Sequence, residues 1–110
     1  MGKRMNAPAM LEITLDEETA RTVVHLVGEI DAASSGRLRA VLGEQVAEDR
    51  DAVIDLAGVR FIDSSGLGVL VGALRRFESG GRHLSLRAPT PSLQRVLEMT
   101  GLATAFPIEH

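Results

Sequence analysis

Apolar residues along this 110-residue chain change their spacing repeatedly, and this change of period limits the fold more than any other feature. In Ala52-Val53-Ile54-Asp55-Leu56 they run almost unbroken between charged and glycine-bearing flanks, the pattern of a strand buried on both faces. From Leu67 they return every three or four residues, at Leu70, Val71, Leu74 and Phe77, which places them on one face of a helix over about Ser65 to Glu78, stopped by Gly80-Gly81. The same contrast recurs on either side. Met10 to Leu15 alternates, Asp16-Glu17-Glu18 reads as a polar turn, and Thr22 to Val27 returns as the second strand of a hairpin. Gly28-Glu29-Ile30-Asp31 is expected to break that strand. Leu38, Val41, Leu42, Gln45 and Val46 then define a first helix over about Ala32 to Glu48, capped by Asp31 or Ser34. Downstream, Leu84-Ser85-Leu86 reads as a strand, and Pro89-Thr90-Pro91 opens a third helix carrying Leu93, Val96 and Leu97 and ended by Gly101. Phe106-Pro107-Ile108 reads as a short edge strand. The expectation is an α/β fold with a mixed sheet of four to five strands, an N-terminal hairpin followed by parallel crossovers, and about three helices. Residues 10–110 form one domain behind a disordered segment, 1–9.

Composition narrows the chemistry. The chain has no cysteine, so it has no disulfide framework, thiol nucleophile or Cys-ligated metal site. A formal charge of −3, with no basic run longer than Arg75-Arg76, supplies no broad face for phosphate backbones, and nucleic acid is not expected as a partner. No apolar run approaches the roughly 20 residues that span a bilayer, and Met1 to Met10 lacks the apolar core of a secretory signal. Membrane insertion is therefore not expected, and the cytoplasm is the expected location. Lys3 is the single lysine, which argues against any mechanism built on a buried one.

Asp63-Ser64-Ser65-Gly66 lies where a strand-like segment hands over to the best-defined helix. Its side chains therefore sit beside unpaired backbone N–H groups and the positive end of the helix dipole. Ser and Asp are the commonest helix caps, so capping is the ordinary role of such a segment. Two adjacent serines exceed what one cap needs, and a phosphate acceptor is the second reading. A phosphoserine carries about −1.5 to −2 charges, and the helix dipole favours it by about 0.3–1 kcal/mol. An aspartate about 6 Å away, at an effective dielectric near 20, opposes it by about 2–3 kcal/mol per unit charge before solvent screening. The two effects partly offset, so the modification should leave the fold standing and act on whatever protein covers Ser64.

The residues Val53-Ile54-Asp55-Leu56 and Phe61-Ile62-Asp63-Ser64-Ser65-Gly66-Leu67-Gly68-Val69-Leu70 form one block. With Gly28-Glu29-Ile30-Asp31 upstream and Arg95-Val96-Leu97 and Gly101-Leu102 downstream, it resembles the STAS domain of bacterial anti-sigma factor antagonists. The resemblance runs over about residues 10–108. It implies a partner-switching cycle in transcription regulation: the unphosphorylated antagonist binds an anti-sigma factor that is also a GHKL-type serine kinase, and so frees a sigma factor. Phosphorylation of Ser64 would end that binding, and a PP2C-type phosphatase would reset the serine. The resemblance also implies a partner surface of Asp31, Asp63, Ser65, Gly66 and Leu67. Relatives commonly carry a further helix after the last strand, whereas Ile108 here is followed by two residues. An uncovered apolar strip, and with it weak homodimerisation, is the corresponding expectation.

Other chemistries fit less well. His25, His83 and His110 are scattered and none stands in a recognisable order with a serine, so an enzyme is not expected. His25 reads as a strand residue. Gly66-Leu67-Gly68 lacks the third glycine of a dinucleotide loop, and no cofactor is expected. Asp31, Asp55 and Asp63 would make a magnesium site only if strand ends crowd them together, and Asp55 reads instead as flanking a strand. A phospho-aspartate receiver needs paired acids after its first strand and a late lysine, both missing here. A non-switching STAS module, serving as a subunit in a stress-sensing or lipid-transport assembly, keeps the fold and leaves Ser64 as a cap.

Overall fold

The computed structural model describes residues 11–110; the segment 1–9 expected to be disordered, and Met10, lie outside the described residues. Among them the order is β1 (Leu11–Glu17), β2 (Arg21–Ile30), α1 (Ala32–Ala47), β3 (Asp51–Ile62), α2 (Ser64–Ser79), β4 (Leu84–Arg87), α3 (Pro91–Met99), α4 (Leu102–Ala105) and β5 (Ile108–Glu109). The five strands form one sheet in sequential order, β1 antiparallel to β2 and every later neighbour parallel. The mixed sheet expected from the hairpin and crossovers is thus present.

Side chains alternate along each strand, and one set faces the helices. Leu11 and Ile13 of β1 join Val24, Leu26 and Ile30 of β2, Ile54 and Leu56 of β3, and Leu84 and Leu86 of β4 in a single apolar cluster. Leu38 and Leu42 of α1, Leu70, Leu74 and Phe77 of α2, and Leu93 and Leu97 of α3 complete it. Fixing three helices against one face fits their apolar spacing, since each carries a single buried stripe.

Several boundaries differ from expectation, each for a physical reason. The hairpin turn falls at residues 18–20 and not at Asp16-Glu17-Glu18, because Asp16 and Glu17 pair with Val23 and Thr22 and leave their charges to solvent. Gly28 does not break β2. At φ +123 it sits beside a register shift against β3, and the strand continues to Ile30. β3 runs unbroken through Ala57 to Ile62, so Asp55 lies inside the strand and not at its flank. After Gly101, in the left-handed region at φ +79, the chain forms a fourth helix, α4, which returns it to the sheet. The last strand begins at Ile108, while Phe106 is buried as an anchor and the Pro107 carbonyl accepts from the Leu86 amide at 2.9 Å.

The sheet face opposite the helices is closed differently. Glu109 accepts from Arg21 of β2 at 2.8 Å and from Ser85 of β4 at 3.3 Å, and pairs with Arg87 at 3.4 Å. A carboxylate bonded to both β2 and β4 must lie over β3 between them, and Val53 there is fully buried although the helices are on the other side. This end of the face carries an ion-pair network, and among the described residues the large exposed apolar side chains of the face are Val27 and Phe61, at 47% and 49%. Arg21, with Arg87 assisting, holds the Glu109 carboxyl below its ordinary value. A lowered folded pKa contributes stability that is present above the unfolded value and lost as pH falls through the folded one. The network is solvent-accessible, so the effect is modest. We expect Glu109→Gln to lower the melting temperature by at most a few degrees at pH 7. The gap from wild type should close as pH drops below about 4.5, as followed by circular dichroism.

Candidate functional site

The parallel partners Ile30 and Ile62 end β2 and β3 side by side, and each is followed at once by an aspartate that starts a helix. The Asp63 amide donates to the Ile30 carbonyl at 3.1 Å, which ties the two strand ends together. Two helix N-termini therefore open at one edge of the sheet, and the carboxyl edge of parallel strands is where open α/β sheets place their ligands.

Each aspartate is committed to its helix. Asp31 caps α1: one carboxylate oxygen accepts from the Ala33 and Ser34 amides, both at 3.0 Å, while the Ser34 hydroxyl accepts from the Asp31 amide at 3.0 Å in a reciprocal capping box. Both candidate caps for this helix thus act together. Asp63 caps α2 by accepting from the Gly66 amide at 3.1 Å. Ser64 is the first residue of α2 and is exposed, and its hydroxyl has no hydrogen-bond partner among the described residues. The capping role open to Ser64 in the sequence is therefore filled by its neighbour. The amides of Ser64 and Ser65 likewise have no acceptor among the described residues, as the first turn of a helix leaves them.

The remaining members of the expected surface are distributed unevenly. Asp31, Asp63, Ser65 and Leu67 are half-buried around Ser64, and Leu67 also leans on the core. Gly66 is the one buried member: a Cβ there would lie 2.6 Å from Ile30 Cγ2 and 2.7 Å from Ile62 Cγ1. Phe61, outside the expected partner surface, stands half-exposed three positions before Ser64, and Arg60 lies 3.8 Å from Glu29 beside it. Its signal in the sequence was a break in alternation: Phe61 and Ile62 are adjacent, and only one can face the helices.

Asp55 is not brought to this edge. It sits within β3, eight positions before the Asp63 that follows the strand, roughly 25 Å away at about 3.3 Å per residue, and bonds His25 on β2 at 2.8 Å. Burial opposes its ionisation, but the Ala57 amide and the His25 ring outweigh that and hold its carboxyl below the ordinary value. His25 is a strand residue, as expected, and serves this pair. Asp31, Asp55 and Asp63 therefore do not assemble a magnesium site. No helix among the described residues is long and apolar enough to cross a membrane.

Comparison with known proteins places this arrangement in a family. A family model described as the STAS domain matches residues 11–110. The chain belongs to the STAS domain family. An anti-sigma F factor antagonist of Paenibacillus polymyxa is 30% identical over 89% of this chain and 86% of its own length. An anti-sigma-B factor antagonist of Bacillus subtilis is 37% identical over 72% of each chain. The solved structure of an anti-sigma factor antagonist from Mycobacterium paratuberculosis is 30% identical, with a TM-score of 0.80 over 94% of this STAS domain chain and 88% of that one.

The division of labour at the site has a measurable signature. We expect Asp31→Ala and Asp63→Ala each to destabilise this STAS domain by about 1 kcal/mol, the ordinary cost of losing a cap. Ser64→Ala should stay within about 0.5 kcal/mol of wild type, as for an exposed side chain with no partner. Urea denaturation of the three variants checks the contrast.

Proposed function

We propose that this chain is a non-enzymatic anti-sigma factor antagonist whose binding is switched at Ser64. In the unphosphorylated state it binds an anti-sigma factor that is itself a GHKL-type serine kinase, and so frees a sigma factor in the cytoplasm. Phosphorylation of Ser64 ends the binding, and a PP2C-type phosphatase restores it. The observation that carries this reading is the exposed, uncommitted Ser64 hydroxyl at the first position of α2, next to an Asp63 that already supplies the cap. The kinship with anti-sigma factor antagonists supports the class of partner.

Electrostatics supports a switch that acts on the partner and spares the fold. The new phosphate sits at a helix N-terminus with two amides lacking acceptors, which partly offsets repulsion from Asp63 and Asp31. A docking protein gains no such compensation when it covers a dianion, and about 1.4 kcal/mol already means tenfold in affinity. Asp31, Asp63, Ser65 and Leu67 form the contact surface in this reading.

The test is binding of the purified chain to its cognate anti-sigma factor. Wild type and Ser64→Ala should bind, while Ser64→Asp and the phosphorylated protein bind at least about tenfold more weakly. The phosphorylated protein should keep its circular dichroism spectrum and its melting temperature within a few degrees. Equal binding by Ser64→Ala and Ser64→Asp would refute the switch and favour a constitutive STAS module.

A further inference from the structure

Ser64 lies between two fixed points. On one side the Asp63 amide is held to the Ile30 carbonyl at 3.1 Å. On the other, Gly66 rests on the ends of both strands, where a Cβ would stand 2.6 Å from Ile30 Cγ2, 2.7 Å from Ile62 Cγ1 and 3.1 Å from Ile30 Cβ. Neither isoleucine has room to yield. Both are buried, at 0% and 6% exposure, and β-branching leaves their γ carbons little rotational freedom. Restoring ordinary contact would therefore move the helix by about 1 Å. Because residue 63 stays tied to β2, that movement cannot be a simple lift of α2. The short stretch between the fixed points, Ser64 and Ser65, has to tilt, and the cap bond from the Gly66 amide to Asp63 at 3.1 Å has to lengthen.

We infer that Gly66 is a positioning residue for phosphorylation: its missing side chain lets the first turn of α2 seat against Ile30 and Ile62 and so sets where the Ser64 hydroxyl is presented. The inference rests on Ser64 being the acceptor. In the transfer, Ser64 Oγ forms a bond to the γ-phosphorus of a nucleoside triphosphate as the bond to the β,γ-bridging oxygen breaks. The nucleoside diphosphate leaves, and the hydroxyl proton passes to a base of the kinase. Such a displacement depends on near in-line placement, and a misplacement of about 1 Å can cost on the order of 100-fold. Gly66 thereby differs from the half-buried residues around it: it acts through Ser64, from beneath.

The experiment compares Gly66→Ala with wild type as a substrate of the cognate kinase and ATP, with phosphorylation at residue 64 followed by mass spectrometry. Both are made in a Gly72→Ala background, where the added methyl meets open space and favours the helix. Val69→Ala, which opens a cavity under α2 one turn further on, is the control for general destabilisation. At a temperature where all are folded, Gly66→Ala should lose at least about tenfold in kcat with KM within about threefold, while Val69→Ala keeps the wild-type kcat. Amide hydrogen exchange at residue 66 should accelerate relative to that at Leu70. A wild-type kcat for Gly66→Ala, an equal loss in Val69→Ala, or a change in KM alone would overturn the inference. If wild type itself is not phosphorylated at Ser64, the functional reading fails, and unchanged exchange at residue 66 separately overturns the positioning role. Should Gly66→Ala not fold, Ile62→Ala carries the same measurements: it removes support beneath the turn, and an unaltered kcat and exchange there would be equally fatal.

Discussion

The pairing of Ile30 with Ile62, locked by the Asp63 amide on the Ile30 carbonyl, is the contact on which the arrangement of the site depends. Two parallel strands that end in register deliver two helices starting in register, so the positive ends of two helix dipoles meet at one edge. Each helix brings its own carboxylate as a cap: Asp31 accepts from the Ala33 and Ser34 amides, and Asp63 from the Gly66 amide. These caps leave the next residue of α2 free of structural duty. An exposed serine in that place can change its charge without the fold changing its bonding.

The two faces of the sheet are held by different physics. Against the helices, closely packed aliphatic side chains supply most of the burial, with Phe77 and Phe106 the aromatic contributors. On the other face, Val53 is closed off by a carboxylate and two guanidinium groups drawn from β2, β4 and β5. This second closure joins segments far apart in the sequence, since Glu109 of β5 reaches back to Arg21 of β2. It also leaves Phe61 and Val27 exposed near the end of the sheet where the helices begin. Charge repair and apolar exposure therefore sit at opposite ends of the same face.

What was legible in the sequence followed from periodicity and short-range chemistry. The second helix was readable because Leu67, Leu70, Leu74 and Phe77 keep one stripe, and Gly80 ends it. The third was readable because Thr90 and Pro91 are a cap and a first-turn residue by local preference. The extent of β2 was not legible, because a glycine at positive φ marks a bulge or a break equally well until a neighbouring strand is present to continue the ladder. The length of β3 was hidden for a similar reason: Ala57, Gly58 and Arg60 look like a loop until β2 holds them in register. Helix α4 is a single turn, too short for periodicity to register.

The sequence by itself determined the strands and the three longer helices and their order, because apolar spacing, caps and turn residues act over a few neighbours; Ser64 as candidate acceptor came from the resemblance of the Asp63-Ser64-Ser65-Gly66 block to a family. Tertiary structure decided which of two adjacent polar residues is the cap and which is free. It moved Asp55 away from Asp63 and into a bond with His25, and it turned Gly66 from a surface residue into a spacer against two isoleucines. Those outcomes depend on distances between segments far apart in the chain, and such distances exist only once the strands are paired.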